Sequence, residues 1–175
     1  MRSVSGVGRV AALGAIIAAV ALLAIVLFGG FSRRDLNDVW TFDLDKEQWF
    51  ERTPDGPLPP ARYYGAPAAH DDELIIFGGR ERSRPKVNYS DTWSFDRGSG
   101  RWKRVAPDAG EERYGADAIS PAYHAKAACA VVDGGLYLWG GEGRRGHVSD
   151  LWRLEMATTQ WELLQPARDD DPELW

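Results

Sequence analysis

Cysteine and histidine are scarce in this chain. One cysteine, Cys129, and three histidines, His70, His124 and His147, occur among 175 residues. A lone thiol builds no disulfide framework; in the apolar run Ala127–Val132 it reads as a small buried hydrophobe. The cysteine count therefore leaves the compartment open. The histidines stand far apart, with no H-E-x-x-H or C-x-x-C spacing to hold a metal. No Gly-x-Ser-x-Gly elbow occurs either, and Gly140-Gly141-Glu142-Gly143 leads into a strand, outside the strand-to-helix setting that cradles phosphate. No catalytic residue, metal or cofactor is expected. Basic charge is also in deficit: 21 Lys and Arg against 26 Asp and Glu, a net charge of −5. Without a basic helix or a recognisable motif, nucleic acid is a poor partner.

Helical spacing is missing from residue 25 onward, and a repeat stands in its place. Ile25–Phe28 leads into Gly29-Gly30, followed by Asp38, Trp40 and Trp49. Leu74–Phe77 leads into Gly78-Gly79, followed by Asp91, Trp93 and Trp102. Leu136–Trp139 leads into Gly140-Gly141, followed by Asp150, Trp152 and Trp161. The aspartates lie 53 and 59 residues apart, and the two tryptophans of each copy are nine apart. Such periodicity marks an architecture in which no unit buries its core alone. Within a unit, Ala66–His70 or Ala127–Val132 forms a first strand, closed by Asp71-Asp72-Glu73 or Asp133-Gly134-Gly135. The second strand ends at the glycine pair, where positive φ and close backbone approach are allowed. The third alternates faces with a period of two, and the fourth opens on the second tryptophan. Four short strands in about 50 residues make one blade of a β-propeller.

On these glycine doublets, tryptophan pairs and the run Pro60-Ala61-Arg62-Tyr63, the chain resembles the kelch repeat family over residues 25–164. The third unit has Pro121-Ala122-Tyr123-His124 where the second has that run, after an insertion of about ten residues. The resemblance implies an all-β fold, a partial kelch propeller of about three four-stranded blades. It also implies that Gly29, Gly30, Gly78, Gly79, Gly140, Gly141 and Trp40, Trp49, Trp93, Trp102, Trp152, Trp161 are scaffold, the tryptophans packing between blades. Asp38, Asp91 and Asp150 are expected to hydrogen-bond nearby loop backbone. The units divide as 25–58 (first strand missing or replaced), 59–106 and 121–166, with an inserted loop at 107–120 and an acidic tail at 167–175. Propellers close with about four to eight blades, so three units imply either a fragment or a ring completed by self-association.

Val10–Phe28 holds 19 residues without a polar side chain, preceded by Arg2 and Arg9. That length just spans a bilayer as a helix, and Ala19-Val20-Ala21 offers a signal-cleavage site. The first reading of residues 1–28 is thus an N-terminal apolar helix, anchor or signal, contacting the membrane through residues 10–28. It would make the protein single-pass or secreted. The second reading is two buried strands, with Ala18–Ala21 aligned on Cys129–Val132 and a cytoplasmic protein. Against that stand Leu22-Leu23-Ala24 at the hairpin tip, which lack turn chemistry.

The loops between second and third strands are basic: Arg33 and Arg34, then Arg80, Arg82, Arg84 and Lys86, then Arg144 and Arg145. These are eight of the 21 basic residues, and local field steers partners more than net charge does. With Tyr63, Tyr64, Tyr89, Tyr114 and Tyr123 near the same rim, they predict a non-catalytic module that binds a protein or acidic peptide through arginine forks. The alternative from the resemblance is a piece of a larger, galactose-oxidase-like propeller enzyme whose active site lies elsewhere. Histidine and tyrosine hold copper in such enzymes, but His124 beside Tyr123 reads as a packing residue of strand one.

Overall fold

The computed structural model describes residues 2–4, 16–20, 24–82, 86–108, 120–143 and 146–167. Thirteen strands, in three antiparallel sheets, make up its regular structure. The first sheet joins β1 (Arg2–Val4), β2 (Ile16–Val20), β3 (Ala24–Phe31), β4 (Asp35–Asp43) and β5 (Gln48–Arg52). The second holds β6 (Ala66–His70), β7 (Glu73–Glu81), β8 (Val87–Asp96) and β9 (Arg101–Ala106). The third holds β10 (Ala128–Val132), β11 (Gly135–Gly143), β12 (Gly146–Glu155) and β13 (Gln160–Gln165). Each sheet runs in simple sequence order from its first strand to its fourth, except that β1 adds to the outer edge of β5.

The N-terminal apolar helix expected over residues 10–28 is replaced by strands wherever the chain is described. Ile16–Val20 pairs antiparallel with Ala24–Phe28, from Ile16 opposite Phe28 to Val20 opposite Ala24. The first unit therefore has its first strand. The hairpin tip at 21–23 and residues 5–15 lie outside the described residues. Among the described residues no helix is long and apolar enough to cross a membrane. The physical reason is that a continuous apolar run carries no period to separate buried helix from buried strand. The partner decides. β2 lies against β6 and β7 of the next blade, and Ile16 is buried in the core they share. At Arg2–Val4, where a basic leader was expected, the backbone forms β1, pairing Ser3 with Phe50.

In all three blades the β-ladder shifts register at the glycine pair: between Phe28 and Gly30, Phe77 and Gly79, Trp139 and Gly141. The first glycine of each pair has φ near +60° (59°, 60°, 64°). A Cβ on Gly29 would stand 2.7 Å from the Arg62 carbonyl oxygen, and one on Gly78 2.7 Å from that of His124. Both oxygens belong to the segment entering the next blade. Removing the side chain lets one blade's bulge receive the next blade's backbone, and Gly30 N–H donates to that Arg62 oxygen at 2.9 Å.

Alternation then gives every blade two faces. Leu74, Ile76, Trp93, Phe95 and Trp102 of blade 2 meet Ile16, Val26, Phe28 and Val39 of blade 1. The other side of blade 2 offers Ala66, Ala68, Ile75, Phe77 and Ala106 to Leu136, Leu138, Trp152 and Leu154 of blade 3. Blade 2 is covered on both sides. That is why its second strand is a buried run from Leu74 to Phe77, without the polar alternation of a half-exposed sheet.

Candidate interaction face

The segments entering blades 2 and 3 and the loops after β3 and β7 gather on one side of the stack. Tyr63 and Arg80 exchange two backbone hydrogen bonds, each 3.0 Å. Ala125 and Glu142 repeat this in blade 3 at 2.9 and 2.7 Å. Arg82 N–H donates to the Asp35 carboxylate at 2.8 Å, which ties the blade 2 loop to blade 1.

Beneath this face lies a buried polar joint. Arg62 is fully buried and clamps Asp91, Nη1 to Oδ1 at 2.5 Å and Nη2 to Oδ2 at 3.2 Å. Its remaining donors reach the carbonyls of Gly78 at 3.0 Å and Pro60 at 3.1 Å, and its plane lies 4.0 Å from the Tyr89 ring centroid. In blade 3, His124 takes that place: Nδ1 faces the Gly140 carbonyl at 3.0 Å and Nε2 faces Asp150 at 3.5 Å. The match Pro121–His124 against Pro60–Tyr63 is thus one residue out, since His124 sits where Arg62 does. The three aspartates take side-chain donors: Trp40, Trp93 and Trp152 give their indole N–H to Asp38, Asp91 and Asp150 at 2.8, 2.7 and 2.6 Å.

Burial acts to raise the Asp150 pKa, but the hydrogen bonds and charge of His124 and the indole of Trp152 outweigh it and hold the carboxyl below its ordinary value. A depressed folded-state pKa stabilises the fold above the unfolded carboxyl value of about 3.9 and ceases to as pH falls through the folded value. Urea midpoints are therefore expected to drop below about pH 4 and to drop less in Asp150→Asn. Equal acid slopes in both proteins would refute this linkage.

Above the joint runs an aromatic row. Phe31 and Tyr63 have ring centroids 5.9 Å apart, and Tyr63 and Tyr64 4.8 Å. Cations lie over it: Arg82 at 4.1 Å from the Phe31 centroid, Arg80 at 5.4 and 5.1 Å from Tyr63 and Tyr64, and Lys126 at 4.9 Å from Tyr64. Glu142 bridges two of them, accepting from Arg80 at 3.2 Å and from Lys126. The Lys126 hydrogen bond is the main cause holding the Glu142 carboxyl below the usual range.

The predicted basic residues thus divide. Arg33, Arg34, Arg82 and Lys86 are exposed, whereas Arg80 is partly buried and paired with Glu142. Arg84, Arg144 and Arg145 lie outside the described residues, as does Tyr114. Tyr63, Tyr89 and Tyr123 are buried. Sequence reasoning missed Phe31 and Lys126. Lys126 was findable, because it follows His124 at the distance by which Tyr64 follows Arg62, and both adopt positive φ (58° and 59°). Burial pushes the Cys129 thiol up to about 12.

Antiparallel sheets of four consecutive strands, the first extended by β1, stacked in chain order and locked at glycine bulges, define the class: β-propeller blades. The chain belongs to the KLHDC2/KLHL20/DRC7 Kelch-repeats domain family, whose profile matches residues 14–173. It is 29% identical over 128 residues to dynein regulatory complex subunit 7 of Chlamydomonas reinhardtii, covering 70% of this chain and 10% of that protein. It is 27% identical over 138 residues to the flagellar outer arm dynein alpha chain of the same organism, covering 74% of this chain and 3% of that one. Human Kelch domain-containing protein 3 is 28% identical over 105 residues, 60% of this chain and 25% of that protein. The chain therefore spans a quarter or less of the length of these relatives.

Proposed function

We propose that the chain is a non-catalytic protein-interaction module whose loop face takes an acidic peptide. The observation that carries this reading is the aromatic row Phe31–Tyr63–Tyr64 under Arg82, Arg80 and Lys126, flanked by exposed Arg33, Arg34 and Lys86. Rings held by neighbours cost little entropy to bury, which suits them to a contact surface. Guanidinium groups already oriented on rings are prepared for carboxylates. Glu142 occupies Arg80 and Lys126, so the open end of the row, at Phe31, Arg33, Arg34 and Arg82, is where a peptide carboxylate meets the least competition. A relative named as a subunit of a dynein regulatory complex favours a protein partner.

The test is fluorescence anisotropy with labelled peptides of equal length, acidic and neutral. The acidic set is expected to bind more tightly and to weaken as salt rises. Arg33→Glu with Arg34→Glu should weaken it about tenfold, a loss of about 1.4 kcal/mol, without changing thermal stability. Equal binding of both peptide sets, or an unchanged affinity in the double variant, would sink the proposal.

A further inference from the structure

Equivalent positions of the three blades meet along the loop face. The residue after each glycine pair is Phe31 in blade 1, Arg80 in blade 2 and Glu142 in blade 3. Tyr64 and Lys126 are equivalent too: each stands two residues after the buried side chain of its joint, Arg62 or His124, at positive φ. Stacking the blades therefore lines up an aromatic end, a pair of cations and one anion.

Glu142 Oε2 accepts from Arg80 at 3.2 Å and Oε1 accepts from Lys126. One carboxylate neutralises only one of those two charges. Arg80 Nε is buried and has no hydrogen-bond partner among the described residues, and the Lys126 side chain is 45% exposed. Both cations are meanwhile placed over one ring, at 5.1 and 4.9 Å from the Tyr64 centroid. The Glu142 backbone is pinned to Ala125 by two hydrogen bonds of 2.9 and 2.7 Å, so its main chain stays in place. Its side chain is 26% exposed, and ion pairs between long side chains that water can reach are weak. An incoming carboxylate would exchange with it on equal chemical terms.

We propose that Arg80 and Lys126, over Tyr64, form a second carboxylate subsite, which Glu142 fills from within the chain until a peptide carboxylate displaces it. This rests on the acidic-peptide reading of the same face and sharpens it. The first subsite is the open end at Phe31, Arg33, Arg34 and Arg82, and the second lies beyond Tyr63. Ring steps of 5.9 and 4.8 Å lead from one to the other. Alternate residues of an extended peptide point to one side about 7 Å apart, and glutamate side chains span what remains. The ligand class is an extended peptide with acidic residues at positions i and i+2.

Three labelled peptides of equal length test this by fluorescence anisotropy: one neutral, one with a single glutamate, one with glutamates at i and i+2. In the unaltered chain the second glutamate is expected to tighten binding by less than about threefold, because it must displace Glu142. In Glu142→Gln it should tighten binding about tenfold, with an unchanged thermal midpoint. Adding Lys126→Gln to that variant should abolish the gain. Glu81→Gln removes the same charge next to Arg80, but Glu81 pairs with Tyr89, so the factor should stay as in the unaltered chain. An equal factor in the unaltered chain and Glu142→Gln would overturn the subsite, while a single glutamate that still outbinds the neutral peptide would leave the acidic reading standing. A factor raised as much by Glu81→Gln would mean a general effect of charge, and overturns the subsite too. No preference for either acidic peptide in any of these proteins would sink the acidic reading, and the subsite with it.

Discussion

Replacing Arg62 by methionine is expected to lower the unfolding free energy by about 3–5 kcal/mol, the usual cost of leaving a buried charge unpaired. Asp91 has a side chain only 4% exposed, and Arg62 is its bidentate partner. The indole of Trp93 would remain, supplying one neutral donor to a carboxylate. Arg104 approaches no closer than 3.8 Å and is largely exposed. The loss should propagate, because Arg62 also holds the Gly78 carbonyl, and its own carbonyl receives Gly30 N–H from blade 1. Arg97→Met is the control. Arg97 pairs with Asp72 at 2.9 Å with side chains 32% and 53% exposed to water, and such pairs contribute about 0–1 kcal/mol. Urea denaturation of the two variants decides the matter. A loss below about 1 kcal/mol in Arg62→Met would mean that the pair is no better than a surface one.

Gly78→Ala is expected to cost about 2–5 kcal/mol, combining a left-handed backbone penalty of about 1–2 with overpacking of about 1–3. Its Cβ would meet the His124 and Tyr89 carbonyl oxygens at 2.7 and 2.9 Å. Backbone on both sides cannot swing aside as a flexible side chain could. Gly140→Ala has nearly the same φ, 64° against 60°, but among the described residues meets one atom at 3.1 Å. It should therefore show little beyond the left-handed penalty of about 1–2 kcal/mol. Thermal melts of both variants measure the difference. Equal losses would mean that the doublet is conserved in the repeat for backbone conformation alone and that the blade contact adds nothing.

Much of this was legible in the residues. Blades 2 and 3 follow from local signals: alternation, acidic or glycine turns, the doublets, and tryptophans nine apart. The faces of each strand follow from the period of two once one buried position is known. The joint was less legible. Arg62 was visible as part of a repeated run, but the match to the third unit slipped by one residue. Nothing in Tyr123-His124 says which ring takes the arginine's place until the Gly79 N–H is seen pointing at the His124 carbonyl, 3.4 Å away. On the loop face, formal charge overstated the free cations, because pairing is a matter of neighbours: Arg80 and Glu142 are 62 residues apart in sequence.

Sequence alone determined the blade, since repeat spacing, turn residues and alternation act over a few residues and need no distant partner. Within the apolar run, the tertiary structure alone decided Ile16–Val20 and Ala24–Phe28. An apolar run of alanine, isoleucine, leucine and valine satisfies helix and strand equally, and its backbone groups pair within the segment in one case and with a neighbour in the other. The neighbours here are β4 beyond β3 and the edge of blade 2 against β2. Only their arrival makes two strands the lower free energy, because they bury Ile16, Val26 and Phe28 in a core that a lone segment does not have.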